Sequence, residues 1–417
     1  MKKTVSLVLV FLFVLGMVAC SSSKNTTTQA PAASTTETKA EATAEPKAEP
    51  AAENKASDET IKIGFWEPMT GSMAGAGEMR RRGVVLANEQ RPTVLGRTVE
   101  LVYADNKSDT VEAANAMQRL VNRGDIAGIL GTMGSSLAIA GLDISEKAQI
   151  PVLAGASNPL VTKDRKWVSR TSLSDPFGGR VMAKFAAEEL GVKTVVVVQN
   201  IGEDYSIGMT NFFVEAFCSY TNQTEEQAIL SKANYNSGDT DFTAQLNIIK
   251  SLSPDAIFFP GYYTEGALFC IQMRQLGIDV PFLGTDGMEA PDLITVGKDA
   301  VEGIYISSQF SLENENPKTV QFVKDFNARW NENPSMSAAV GYNNYNAMLD
   351  AIEAAGDPKD NVAIENYLRN LKNWEGVTGT VNVDPETGEA YLACPILQVK
   401  EGAFTLVKYI DVSDLLK

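Results

Sequence analysis

From Thr60 onward, short apolar runs alternate with longer segments whose apolar residues recur at helical spacing. The apolar runs predict four strands, at residues 60–66, 97–103, 126–130 and 151–154. The first two segments between them predict helices over 78–89 and 109–123, and Asp109 is placed to cap the second of these. Strands that alternate with helices in this way are typical of βαβ units and a parallel sheet.

A second series of the same kind begins near residue 177. Its strands are predicted at residues 194–198, 256–259 and 281–283, and its helices at 177–190, 206–220, 242–251 and 265–275. The tail adds helices at 316–332 and 338–355 and strand-like segments at 379–383, 392–399 and 404–410. We predict an α/β protein of two Rossmann-like doubly wound lobes joined by a hinge. The predicted lobe boundaries are 60–174 plus 309–376 for lobe 1, and 175–308 plus 377–417 for lobe 2.

The first 59 residues have a different texture. Two lysines followed by a short apolar run are typical of a secretory signal peptide, predicted here over residues 1–19. The run ends in Met-Val-Ala-Cys, which resembles a bacterial lipobox and predicts lipidation of Cys20; an uncleaved membrane anchor is the alternative. Residues 20–59 are rich in Ser, Thr, Ala, Glu and Pro, and they predict a disordered linker that tethers the lobes outside the cytoplasm.

Composition narrows the function classes. The chain has 417 residues and a formal net charge of −16, which argues against a nucleic-acid partner. It has no histidine, so the commonest general base and the commonest metal ligand are missing. Its cysteines, Cys20, Cys218, Cys270 and Cys394, do not have metal-binding spacing, and whether two of the last three form a disulfide stays open. We predict no cofactor, no metal and no enzymatic activity.

Small, polar or aromatic residues follow the predicted strands, where an open parallel sheet binds its ligands. In lobe 1 these are hydroxyls at helix N-termini, which suit a carboxylate. In lobe 2 they are an acid and two tyrosines, which suit an ammonium group. An α-amino acid carries both groups and would bridge the lobes. The candidate ligand-binding residues are Trp66, Ser135, Ser136, Gly155, Ala156, Ser157, Tyr205, Tyr262 and Asp286.

Each of these residues also has a plain structural reading. Ser135 at a helix start can be a cap, Asp286 a turn residue, and Trp66 or Tyr262 a packing residue. A shared binding site is favoured because they all fall at the same end of their strands. An enzyme alternative rests on residues 75–77, which half-resemble a dinucleotide fingerprint but lack its third glycine. A sensor, or a protein binding an amide, a urea or a small polyol, is the other alternative.

Several segments resemble the branched-chain amino acid binding proteins of ABC importers, which have the periplasmic-binding-protein-like type I fold. They are residues 61–71 (IKIGFWEPMTG), 131–136, 154–157, 205, 260–262 and 282–287 (FLGTDG). The resemblance covers about residues 60–410. It implies that Ser135 holds the ligand carboxylate, that residues 155–157 also hold the amino acid, and that Tyr205 and Tyr262 supply aromatic surface. It also implies that Asp286 pairs with the α-amino group.

The chain departs from that family at two points. Ala76 stands where some members have Tyr, and we expect the bulky Trp66 to refill the opened pocket wall. The family's early disulfide has no counterpart, since no cysteine lies between Cys20 and Cys218. The resemblance implies a monomeric, lipid-anchored, extracytoplasmic bacterial protein that captures an aliphatic amino acid and delivers it to a membrane permease.

Overall fold

The computed structural model describes residues 60–410, in which two open sheets organise the chain. The strands of the first sheet are β1 (Ile61–Glu67), β2 (Thr93–Val94), β3 (Arg97–Asp105), β4 (Ile126–Gly131), β5 (Val152–Ala154) and β6 (Val168–Arg170). Their order across the sheet is β2-β3-β1-β4-β5-β6. The helices that connect them are α1 (Ala74–Gln90), α2 (Thr110–Arg123) and α3 (Ser135–Ala148).

Parallel pairing explains the apolar character of the central strands. β1 pairs in parallel with both β3 and β4, and β4 is buried along its whole length. Strands that helices cover on both faces read as continuous apolar runs. Asp109 caps α2 as predicted, because its carboxylate accepts hydrogen bonds from the backbone N–H groups of Val111 and Glu112.

A second βα series builds the other sheet. Its helices are α4 (Asp175–Lys184), α5 (Asp204–Thr221), α6 (Glu225–Ala228), α7 (Thr243–Leu252), α8 (Tyr263–Gln275) and α9 (Pro291–Gly297). Its strands are β7 (Val195–Asn200), β8 (Ile229–Tyr235), β9 (Ala256–Phe259), β10 (Phe282–Gly284) and β11 (Tyr305–Ser307). These five strands pair in parallel, and β7 begins with four fully buried valines.

The tail of the chain returns to both sheets. Its elements are α10 (Pro317–Trp330), α11 (Met336–Ala355), α12 (Asn361–Arg369), β12 (Trp374–Gly376), β13 (Gly379–Val383), β14 (Ala390–Tyr391), β15 (Cys394–Lys400) and β16 (Ala403–Ile410). α11 packs against α1 and β4 of the first sheet. β15 and β16 add antiparallel strands to the second sheet, whose order is β16-β15-β11-β10-β9-β7-β8.

We call the six-stranded sheet with the helices packed on it lobe 1, and the seven-stranded sheet with its helices lobe 2. The tail contributes to both, so the chain crosses between the lobes more than once. Lobes that are each built from more than one segment of the chain require such crossings. The residue boundaries given above for each lobe stay a prediction. Strands β2, β6, β8, β11, β12 and β14 and helices α6, α9 and α12 were not predicted from the sequence.

The described residues bear on two further points. Cys218, Cys270 and Cys394 are free thiols, so no disulfide joins any two of them. Between residues 60 and 410, every helix is too short or too polar to cross a membrane. The predicted signal peptide, the lipidation of Cys20 and the linker over 20–59 lie outside the described residues.

Candidate functional site

A cavity of about 30 Å³ lies where the carboxyl ends of strands from both sheets face each other. This is the position at which open parallel sheets bind ligands. Seven of the nine predicted residues line it: Ser135, Gly155, Ala156, Ser157, Tyr205, Tyr262 and Asp286. The lobe 1 residues that suit a carboxylate and the lobe 2 residues that suit an ammonium group therefore face one small space. We call these two sets of residues the two half-sites.

The lobe 1 side of the cavity is built from the ends of β4 and β5. Ser135 is the first residue of α3, and Gly134 before it has a φ of 82°, a value that glycine adopts without strain. The Ser135 hydroxyl accepts a hydrogen bond from the Asn158 backbone N–H at 3.3 Å. A helix N-terminus presents unpaired N–H groups and the positive end of a dipole. This side can therefore hold an anionic group.

The lobe 2 side is organised around one tyrosine hydroxyl. Tyr205 donates a hydrogen bond to Asp286 Oδ1 at 2.6 Å and accepts one from the Gly287 backbone N–H at 3.1 Å. Burial raises the pKa of Asp286, and the hydrogen bond from Tyr205 lowers it in part. The rings of Tyr205 and Tyr262 stack with their centroids 5.2 Å apart. A carboxylate beside two aromatic faces can hold an ammonium group.

Five further residues with polar side chains line the cavity and were not identified from the sequence as site residues: Arg80, Tyr263, Glu289, Gln309 and Ser337. Glu289 accepts hydrogen bonds from the Met336 backbone N–H at 2.9 Å and from the Ser308 hydroxyl. Burial raises its pKa to about 8. Gln309 accepts a hydrogen bond from the Leu173 backbone N–H at 2.7 Å.

Arg80 is a cation inside the cavity wall and is only 3% exposed. Its Nη1 lies 3.4 Å from Oε1 of the fully buried Glu67 at the end of β1. Glu67 also accepts a hydrogen bond from the Met133 backbone N–H at 2.9 Å. Arg80 follows Ala76, another cavity residue, by one helical turn on α1. That spacing is the sequence signal that could have identified it.

The prediction that Trp66 borders the ligand is wrong. Its side chain is fully buried, and Nε1 donates a hydrogen bond to the Ala113 carbonyl of α2 at 3.1 Å. The indole also packs on α3 at Gly141, where it leaves no room for a side chain. Successive residues of a strand point to opposite faces, so Trp66 packs under the helices while Glu67 reaches Arg80. Trp66 therefore does not refill the space beside Ala76.

Ser136, which was also predicted to contact the ligand, does not line this cavity. Its hydroxyl accepts a hydrogen bond from the Asp204 backbone N–H at 3.0 Å and donates one to Asp204 Oδ2 at 3.1 Å. Asp204 begins α5, so these bonds join lobe 1 to lobe 2. On the other side of the cavity, the Ala76 backbone N–H donates to the Tyr263 hydroxyl at 3.3 Å. The structure is thus a form in which the lobes are closed on each other.

Comparisons with known proteins agree with this architecture. A family model described as periplasmic binding protein matches residues 60–403, a range that contains the whole cavity lining. The leucine-, isoleucine-, valine-, threonine- and alanine-binding protein of Pseudomonas aeruginosa is 28% identical over 335 residues, which are 78% of this chain and 86% of that protein. A Leu/Ile/Val-binding protein of Rhizobium johnstonii is 27% identical over 335 residues, 79% of this chain and 88% of that protein.

Solved structures show the same likeness. A leucine-binding protein from Thermotoga maritima is 38% identical with a TM-score of 0.81, covering 85% of this chain and all of that one (100%). A branched-chain amino acid transporter substrate-binding protein from Streptococcus pneumoniae, solved with isoleucine, is 29% identical with a TM-score of 0.77, covering 84% and 99%. The predicted α/β fold with two lobes is confirmed. The chain therefore belongs to the periplasmic binding protein family, with the type I architecture.

Proposed function

We propose that this chain captures an α-amino acid, preferably an aliphatic one, between its lobes and delivers it to an ABC importer. The observation that carries the proposal is the opposite electrical character of the two sides of one small cavity. Ser135 and Ser157 lie on the lobe 1 side, and Asp286 lies on the lobe 2 side. A zwitterion places its carboxylate and its ammonium group against complementary partners there. The isoleucine complex of the S. pneumoniae relative supports the same ligand class.

The rest of the cavity wall suits a short apolar side chain. Ala76, Met133 and Met336 line it together with the two stacked tyrosines, Tyr205 and Tyr262. A ligand that contacts both lobes only when they are closed shifts the population toward the closed form. We propose that a membrane permease recognises that form.

The family is one of substrate-binding transport proteins, and we propose binding without catalysis. Among residues 60–410, no cluster of cysteine, aspartate or glutamate has the arrangement of a metal site. We further propose that residues 1–19 are a cleaved signal peptide and that Cys20 is lipidated. Residues 20–59 then serve as the tether, and the protein acts as a monomer on the outer face of the bacterial membrane.

The test is calorimetric titration with a panel of amino acids and neutral amides, on the wild type and on Asp286→Asn. Removing one charge of a buried pair costs about 2–5 kcal/mol, so Kd for the preferred amino acid should rise about 30-fold or more. Asp299→Asn is the matched control, because Asp299 is exposed and lies outside the cavity lining. We expect it to bind as the wild type does.

Unchanged affinity in Asp286→Asn would contradict an ammonium-bearing ligand. It would favour the alternative of a protein that binds an amide or a urea. Native mass spectrometry of the wild type as purified gives an independent answer, since a ligand enclosed between two lobes can remain bound during purification. A retained mass that no amino acid matches would contradict the proposal.

A further inference from the structure

The cavity contains one positive charge that neither half-site accounts for. Arg80 is 3% exposed and lines the cavity. In the described part of the chain, its guanidinium has one acidic partner within 4 Å, Glu67 at 3.4 Å, and its charge also lowers the pKa of Asp286. Its Nε has no hydrogen-bond partner there. A guanidinium has five N–H donors, so most of this donor set is not matched by a close acceptor.

A buried charge is stabilised only when its hydrogen bonds are satisfied. A single contact of 3.4 Å is long for a charge-assisted hydrogen bond, which is usually about 2.7–2.9 Å. Glu67 cannot easily move closer, because the Met133 backbone N–H at 2.9 Å also holds its carboxylate. An acceptor entering the cavity would complete the set. An oxygen atom carried by a ligand would be such an acceptor.

The position of the guanidinium indicates which ligand oxygen this is. Nη1 of Arg80 packs directly on Gly155, so closely that a side chain at position 155 would overlap it. Gly155 is the first residue of the 155–157 stretch, which borders the cavity beside Ser135. Glu67 lies on the other side of the guanidinium and fixes its orientation. Arg80 thus belongs to the same side of the cavity as the proposed carboxylate site.

We infer that Arg80 is a specificity-determining residue that donates a charge-assisted hydrogen bond to the carboxylate of the bound amino acid. This inference rests on the proposed function and narrows it. A carboxylate has about four acceptor positions, so Ser135 and Arg80 can both donate to it. The site then requires a carboxylate, and it rejects an analogue in which a neutral amide replaces that group.

The test compares leucine with leucinamide, which keeps the ammonium group and the side chain but lacks the carboxylate. Each Kd is measured by calorimetric titration for the wild type and for the double variant Glu67→Gln/Arg80→Met. The double variant removes both charges and so leaves neither buried alone. We expect the wild type to prefer leucine by at least about 100-fold, and the double variant to lose at least about tenfold of that preference.

Two further variants make the result independent of folding defects. Gly155→Ala keeps both charges but displaces the guanidinium, so it should reduce the leucine-to-leucinamide preference in the same direction. Arg81→Met is the matched control, because Arg81 lies on the same helix, is paired with Glu78 and is outside the cavity lining. It should leave the preference unchanged. Thermal denaturation identifies any variant that does not fold.

The outcomes separate this inference from the proposed function. If the wild type binds leucine but both folded variants keep its full preference over leucinamide, Arg80 is only a wall residue and the inference is overturned. The amino-acid proposal would survive that result. If the wild type binds amides and no amino acid, the proposed function fails first, and the inference fails with it. Loss of preference in either folded variant, with Arg81→Met unchanged, supports the inference.

Discussion

Glu289 illustrates how burial changes the chemistry of a single side chain at this cavity. Its pKa is raised from 4.5 to about 8, chiefly because the charged form loses its hydration. The folded state therefore holds a proton that the unfolded chain releases above about pH 4.5. The contribution of this group to the free energy of unfolding is fully present below about pH 4.5. It is lost progressively as pH rises to about 8. The ligand-free protein should thus become less stable between pH 5 and pH 9.

Glu289→Gln tests this assignment, because glutamine keeps the acceptor for the Met336 N–H but cannot ionise. We subtract the Tm of the wild type from the Tm of the variant at each pH. We expect this difference to be at least about 2 °C larger at pH 9 than at pH 5. Thermal denaturation without ligand at both pH values is the measurement. Other buried acids, including Glu365, shift both proteins alike, so the difference isolates Glu289. A difference that does not change with pH would show that Glu289 is ionised throughout.

At the residue scale, the sequence predicted the cavity residues that come soon after strands, in loops or in the first turn of a helix. Ser135, Ser157 and Asp286 line the cavity because the carboxyl ends of parallel strands meet at one edge. Trp66 was misplaced because the sequence does not say which of two successive strand residues, Trp66 or Glu67, points toward the cavity side of the sheet. Arg80 was missed because it reaches the cavity from a helix, and a charged side chain on a helix is usually solvated.

At the element scale, the strands that the sequence missed are short or depend on their neighbours. β6 and β11 have three residues each, too few for a periodic pattern. β8 is the last strand of its sheet and carries polar or half-exposed residues between its buried ends. Its pairing with β7 is set by tertiary contact. The longer elements were predicted correctly because they leave a local signal in the sequence. A buried strand gives an apolar run, and a capped helix begins with a residue such as Asp109.

The N-termini of two helices, α3 and α5, meet through Ser136 and Asp204 at the rim of the cleft. Both hydrogen bonds join lobe 1 to lobe 2, so opening the cleft would break them. Ser136→Ala should therefore destabilise the closed form, and Kd should rise about threefold to tenfold. Because the serine does not line the cavity, the factor should be the same for leucine, isoleucine and valine. Calorimetric titration with the three ligands measures it.

The control for this prediction is Ser219→Ala, near the opposite end of α5, where the serine is exposed. It should leave all three affinities unchanged. A factor in Ser136→Ala that differs strongly between the three amino acids would mean that Ser136 contacts the ligand side chain. That result would restore Ser136 to the binding site and contradict its role in holding the lobes together.

At the scale of the whole molecule, the two lobes are not independent halves. α11 comes from the tail and packs on α1 and β4 in lobe 1, whereas β15 and β16 complete the sheet of lobe 2. The sequence suggested discontinuity from the mixed character of the tail. It could not indicate which tail element joins which lobe, because that depends on pairing between residues far apart in the chain. The crossing also links the far edge of lobe 2 to the cavity.

The link runs from β15 to the cavity through two residues. The backbone N–H of Ser308 donates to the Pro395 carbonyl of β15 at 2.9 Å, and its hydroxyl donates to Glu289 in the cavity wall. A chain ending at Ala393 retains every cavity-lining residue but lacks β15 and β16. It also exposes the edge of β11. We therefore expect it to lose at least about tenfold in leucine affinity and several degrees in Tm.

A chain ending at Ile410 is the control for that truncation, because it keeps both strands, and it should bind leucine as the full chain does. Titration and thermal denaturation of the two truncated chains separate the contribution of β15 from that of chain length alone. Unchanged affinity in the chain ending at Ala393 would mean that the cavity wall holds Ser308 and Glu289 in place without β15. The two lobes would then be coupled through their facing surfaces alone, and the crossing of the tail would serve stability without shaping the site.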